Sequence, residues 1–148
     1  RKSDSHLDFD LELVKQRTMD NPVYYVQYAH ARVSSVLRRA EEAGLLLAGA
    51  LRPADLAPLD SAEDLALLRS VDRFEDVVRD AALALAPHHV SYYLLELAGA
   101  LHSYYARHPV LQAGDPALAT ARLALLRAVG QTLKNGLALL GVSAPESM

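Results

Sequence analysis

Apolar residues return every three or four positions along most of this chain, and no stretch shows sustained alternation of apolar and polar residues. That spacing gathers them on one stripe of an α-helix and argues against strands. One clear run is Val26, Ala29, Val33, Val36, Leu37 and Ala40, with Arg32, Arg38, Arg39, Glu41 and Glu42 on other faces. Asp20-Asn21-Pro22 precedes it, offering capping side chains and then a proline at the first helical position, where a missing N–H costs nothing. Gly44 suits the left-handed residue that closes such a helix. The spacing therefore predicts a helix from Pro22 to about Ala43.

The rest of the chain reads in the same way. Leu11, Leu13 and Val14 begin a short amphipathic run behind Asp8 and Asp10, which suit its cap or first turn. Residues 45–60, with Pro53 and Pro58, predict a loop with a short helical turn. Ser61-Ala62-Glu63-Asp64 resembles a capping box with Asp in place of Glu. Leu65, Leu68, Val71, Phe74, Val77, Val78, Ala81 and Leu85 follow, as one long helix or as two broken near Ser70, and Pro87 ends the run. A helix from about His89 to Arg107 turns Val90, Leu94, Leu97, Leu101 and either Tyr104 or Tyr105 inward, and Pro109 stops it. Asp115 and Pro116 open the last helix, which carries Leu118, Arg122, Leu125, Leu126, Val129, Leu133, Leu137 and Leu140 up to Gly141. The expected fold is all-α, a bundle of about five helices with short connections.

Composition narrows the picture further. A length of 148 residues suits one domain, and the abundance of Leu and Ala favours helices. With no cysteine, disulfides and Cys-type zinc sites are excluded. The longest apolar run, Leu45 to Leu51, is far short of the ~20 residues a membrane helix needs. Arg1-Lys2 is followed by Ser-Asp-Ser-His rather than an apolar stretch, so no signal peptide is expected. A net charge of −3 argues against indiscriminate nucleic-acid binding but leaves room for a local contact.

No catalytic residue is expected. The chain has no Gly-rich phosphate loop and no nucleophile elbow. Asp8-x-Asp10-x-Glu12 hints at a calcium loop, but Leu13 stands where the sharp turn demands Gly, so helix capping is the better reading. None of the six histidines pairs with another at the i, i+4 spacing of a helical zinc site, and no metal is expected. His88-His89 read as boundary residues at a helix start.

The tyrosines carry the remaining signal. All seven fall in three clusters: Tyr24, Tyr25 and Tyr28; Tyr92 and Tyr93; Tyr104 and Tyr105. Tyr25, Tyr28 and Arg32 share one helical stripe, and phenol rings ending in a guanidinium suit unstacked RNA bases and a phosphate. The same residues suit half-buried tyrosines at the rim of a core better, because single-strand binders usually add a positive groove that this chain lacks overall. Spacing alone leaves both readings open.

The run from Asp20 to Arg32, Asp-Asn-Pro-Val-Tyr-Tyr-Val-Gln-Tyr-Ala-His-Ala-Arg, resembles the arginyl-tRNA synthetases. So do Ala121-Arg122-Leu123, Asn135-Gly136-Leu137 and the ending Leu140-Gly141-Val142-Ser143-Ala144-Pro145-Glu146 with Met148. Residues 1–20 look like the end of that family's connecting region, and residues 21–148 like its helical anticodon-binding domain. That domain is named for an Asp-Ala-Leu-Arg string, which Asp115-Pro116-Ala117-Leu118 and Ala121-Arg122 approximate without repeating.

The resemblance implies a class I synthetase anticodon-binding fold that holds the anticodon stem-loop of arginine tRNA. It assigns the contact to Tyr25, Tyr28, Ala31 and Arg32 on one helix, Tyr105 on a later one, and Met148 at the tail. Ser147 departs from the arginine the family often has there. The family's His-x-Gly-His and Lys-Met-Ser-Lys motifs are absent, so the chain reads as a binding module with no cofactor of its own. ATP and magnesium are implied only for a parent arginine-tRNA ligase in the cytoplasm. The implied partners are arginine tRNA and the catalytic domain of the same enzyme, with no membrane and no DNA. A different class of function, a protein-interaction scaffold docking through Leu45–Leu51, would use the acidic balance instead.

Overall fold

Asn21 starts the principal helix as its sequence position suggests: its side-chain oxygen accepts from the backbone N–H of Val23 at 3.1 Å and of Tyr24 at 3.5 Å. The computed structural model describes residues 11–45, 52–111 and 114–148. They form α1 (Leu11–Lys15), α2 (Pro22–Glu42), a 3-10 turn (Pro53–Leu56), α3 (Ala62–Asp72), α4 (Phe74–Leu83), α5 (His88–Arg107) and α6 (Pro116–Leu139). The all-α bundle matches expectation, with α2 to α6 as its substantial helices and α1 as a short addition. Helix α6 forms the centre: Leu123, Leu125, Leu126, Val129, Leu133 and Leu137 are all buried, against α2 on one side and α5 on the other. Glycine permits the closest approach to each neighbour. A Cβ on Gly130 would lie 2.8 Å from Val33 of α2, and one on Gly136 2.5 Å from Leu94 of α5.

The stretch from Ser61 to Pro87 differs from its hydrophobic pattern. It is two helices, broken at Arg73 rather than near Ser70. In α3 the inward face carries Asp64 and Leu67, while Leu68 is exposed. Apolar spacing could not reveal this, because the residue that sets the helix's rotation is a carboxylate with partners inside. Leu85 is also exposed rather than inward: it follows the end of α4 with φ of 51°, a left-handed turn that redirects the chain before Pro87. The predicted capping box is present, with Asp64 N–H donating to the Ser61 hydroxyl at 3.0 Å and Ser61 N–H to Asp64 Oδ2 at 3.3 Å.

Gly141, with φ of 70°, turns the tail back along α2. There the Gln27 amide donates to the Ser143 carbonyl at 2.9 Å, and His30 Nδ1 to the Pro145 carbonyl at 2.8 Å. Asp8, Asp10 and residues 46–51 of the apolar strip lie outside the described residues. Among the described residues, no helix is long and apolar enough to cross a membrane.

Candidate nucleic-acid interface

Successive turns of α2 put Tyr28, Arg32, Ser35 and Arg39 on one stripe, spaced four, three and four residues apart. Helix α5 crosses beside it and presents His102 and Tyr105, one turn apart. The tail, pinned to α2 through Gln27 and His30, brings Met148 over the same place. Between these elements lies a surface cavity of about 320 Å³, lined by Tyr28, Ala31, Arg32, Arg39, Tyr105 and Met148. Ser35 and Val36 complete its wall.

Five of the six residues assigned by the resemblance thus meet at one cavity. Tyr25 does not line it. Its ring packs against the core, edge-on to His102 at 5.1 Å between centroids, and so supports the site from behind. Ala31 is almost fully buried and forms part of the floor. Tyr28 is half-buried, stacked on Tyr24 at 6.5 Å and tilted against His102 at 5.7 Å. Met148 is 52% exposed, so its thioether is available to a ligand.

The electrostatics centre on Arg32. Its guanidinium carbon lies 4.4 Å above the Tyr105 ring, a cation–π contact. Its Nη1 donates to His102 Nδ1 over a long 3.4 Å. Burial, aided by repulsion from Arg32, pushes the His102 pKa below its ordinary value, which keeps the imidazole neutral at pH 7 and able to accept. Among the described residues no carboxylate pairs with Arg32 or Arg39. Arg32 and Arg39 thus bring two cations without carboxylate partners among the described residues to this cavity, although the chain is net acidic.

On the other side of Met148 a larger cavity, about 590 Å³, is lined by Lys15, Arg17, Tyr24, Gln27 and Ser147 among others. Ser147 brings no charge to the tail, and the cations at this end come instead from Lys15 and Arg17.

The architecture and sequence both have close counterparts. The profile of the DALR anticodon binding domain matches residues 26–148. The chain belongs to the DALR anticodon binding domain family.

Over all 148 residues it is 68% identical to an arginine–tRNA ligase of Nitratidesulfovibrio vulgaris strain DP4, spanning 27% of that protein's length. It is 49% identical to the arginine–tRNA ligase of Geobacter metallireducens, spanning 26%. The arginyl-tRNA synthetase structure of Thermus thermophilus superposes with a TM-score of 0.71 at 38% identity, over 84% of this chain and 21% of that one. A Campylobacter jejuni structure carrying the arginyl-tRNA synthetase name gives 0.82 at 27% identity, over 100% of this chain and 31% of its own. The chain thus spans about a quarter of its curated relatives. Membership of an anticodon-binding family implies tRNA binding.

The cavity of this DALR domain is built with residues that sequence patterns did not single out. Ser35 and Arg39 continue the stripe of Tyr28 and Arg32 by two further turns, so following that stripe to the end of α2 would have found them; Arg39 had been expected on another face. His102 precedes Tyr105 by one turn and was findable in the same way. His30 gave no signal, because its role depends on a tail carbonyl 115 residues away.

A second arginine–histidine–tyrosine cluster lies sealed between α3, α5 and α6. Asp64 is fully buried there and accepts from the Tyr104 hydroxyl at 2.5 Å and the Ser61 hydroxyl at 2.6 Å. Arg122 Nε lies 3.5 Å from the same carboxylate, and Arg122 Nη2 donates to His108 Nδ1 at 3.1 Å. Burial pushes the Asp64 pKa up, but the hydrogen bonds from Ser61 and Tyr104 and the attraction of Arg122 together hold it below the usual carboxylate range. Tyr104 moves the opposite way, raised by burial and by its bond to Asp64. Tyr93 is a core tyrosine too, donating to the Ser70 carbonyl at 2.7 Å, and burial pushes its pKa up to about 12. Among the described residues no three His, Asp or Glu side chains converge to hold a metal ion.

Proposed function

We propose that this domain holds the anticodon loop of arginine tRNA, as the C-terminal module of an arginine-tRNA ligase. The observation that carries the reading is Arg32: a guanidinium stacked on Tyr105, with no carboxylate partner among the described residues, beside a cavity that also offers Tyr28, Arg39 and Met148. Splayed-out bases stack on Tyr28 and Tyr105, each contact worth about 1–3 kcal/mol. Arg32 presents its remaining donors to a phosphate or a base edge, and Arg39 adds a second, exposed cation for the backbone. Ala31, small and set into the floor, lets a base approach α2, while Met148 closes over it as an adaptable apolar contact. Tyr25 acts indirectly, holding His102 in place.

The attachment of arginine, with ATP and magnesium, belongs to the remainder of the parent enzyme in the cytoplasm. Residues 1–20 would join this domain to the connecting region, and the catalytic domain would be its intramolecular partner.

Fluorescence anisotropy with a labelled anticodon stem-loop of arginine tRNA tests the reading. The 148-residue chain should bind it in preference to an unrelated stem-loop. Each phosphate contact should add close to one unit to the slope of log affinity against log salt, so a slope of about two to three is expected. Equal affinity for both stem-loops would refute recognition of the anticodon.

A further inference from the structure

We infer that His102 is a positioning residue of this RNA site: its neutral imidazole, acting as a hydrogen-bond acceptor, holds Arg32 against Tyr105 and so presets the cationic wall of the cavity. The inference rests on the RNA reading above and names a residue that the resemblance does not assign.

Three observations carry it. His102 Nδ1 is the acceptor that the Arg32 guanidinium meets among the described residues, at 3.4 Å, and the same guanidinium lies 4.4 Å over Tyr105. Tyr25 and Tyr28 both pack on the imidazole ring, so its position is fixed by α2 on two sides. With Nδ1 accepting, the ring proton must sit on Nε2, which is buried and has no hydrogen-bond partner among the described residues. An orphaned buried donor costs stability, and a phenylalanine here would fill much of the same space without that cost. What imidazole adds is the Nδ1 lone pair aimed at Arg32.

The sealed cluster supplies the contrast. There His108 Nδ1 accepts from Arg122 in the same way, but Arg122 is also fixed by Asp64. Among the described residues Arg32 has no such carboxylate, and its direction is set by His102 and Tyr105.

Protonation reverses the arrangement. The groups facing His102 are Tyr25, Tyr28 and Arg32 from α2, with Tyr105 of its own helix reached through Arg32; no carboxylate pairs with it among the described residues. A proton on Nδ1 removes the acceptor and sets an imidazolium against a guanidinium. Simple charge addition would strengthen RNA binding on acidification, whereas loss of this contact weakens it. The two effects have opposite signs.

The test compares the wild-type chain with His102→Asn, whose amide oxygen substitutes for Nδ1 and does not titrate, and His102→Phe, which keeps ring packing without an acceptor. Stem-loop affinity should fall about tenfold in His102→Phe, the scale of one hydrogen bond to a charged group, and stay within about threefold in His102→Asn. The ratio of wild-type to His102→Asn affinity should drop as pH is lowered through the folded pKa of His102, which lies below the ordinary 6.5, because only wild type can protonate. In the RNA-free chain, NMR should show the Arg32 guanidinium protons shifted by the Tyr105 ring current in wild type and His102→Asn. That shift should vanish in His102→Phe and in acidified wild type. Should wild type bind no RNA, the RNA reading fails, and the ring-current shifts still decide the positioning role. Unchanged affinity and unchanged ring-current shifts in His102→Phe would overturn it, as would a ratio that stays constant while NMR shows His102 taking up its proton.

Discussion

Two clusters in this molecule use nearly the same side chains to opposite ends. In the sealed one, Arg122, His108 and Tyr104 surround Asp64. In the open one, Arg32, His102 and Tyr105 meet beside a cavity, and among the described residues no carboxylate pairs with Arg32. Both pair an arginine with a histidine Nδ1, and in both a tyrosine ring stacks on its partner: Tyr104 on His108 at 4.6 Å, Tyr105 under Arg32. The difference is one carboxylate. Asp64 joins α3, α5 and α6 through its cluster, whereas Arg32 has no carboxylate partner among the described residues, and the proposed reading sets a phosphodiester there.

The comparison is broken most severely by removing the internal anion. Asp64→Ala should destabilise the fold by about 3–5 kcal/mol, because it leaves Arg122 buried without its charge partner. Arg32→Ala should cost no more than about 1 kcal/mol, since its charge is already exposed to the cavity. Denaturant unfolding of the two variants measures both, and equal losses would erase the distinction between the clusters.

Binding should show the reverse order. Arg32→Ala should weaken the stem-loop complex by about 1.5–3 kcal/mol, the worth of a charged hydrogen bond, and lower the salt slope by about one. Tyr28→Ala should weaken it by about the value of one stacked base, 1–3 kcal/mol, with the salt slope unchanged. Asp64→Asn, assayed where it is still folded, should bind as wild type does.

The smallest effect concerns acid. The folded pKa of Asp64 lies below its unfolded value near 4, so its contribution to stability is complete above about pH 4 and is lost as pH falls through the folded value. Thermal melts across that range should show a shallower decline in Asp64→Asn than in wild type. Parallel curves would mean that the carboxylate is not held as described.

The open cluster was far more legible in the sequence than the sealed one, for a physical reason. Tyr28, Ala31, Arg32, Tyr105 and Met148 were all named before the structure, through resemblance and a single helical stripe. Asp64 was read only as a capping residue, because no periodicity marks a carboxylate whose partners lie 40 and 58 residues further on, at Tyr104 and Arg122. Helix boundaries at Pro22 and Pro116 were legible because capping chemistry is local. The break at Arg73 was not, since it follows from how α3 and α4 both seat against α5. Tyr25 shows the limit of stripe reasoning: it shares a face with Tyr28 and Arg32, yet α5 passes close enough to cover it.

The most direct measurement is an NMR titration of the isotopically labelled chain with the anticodon stem-loop of arginine tRNA. Shifts should concentrate on Tyr28, Ala31, Arg32, Arg39, Tyr105 and Met148, leaving Tyr104, His108 and Arg122 unmoved. Perturbations confined to positions elsewhere, such as the exposed Leu83 or Tyr92, would contradict the assignment of the open cluster as the RNA-binding surface.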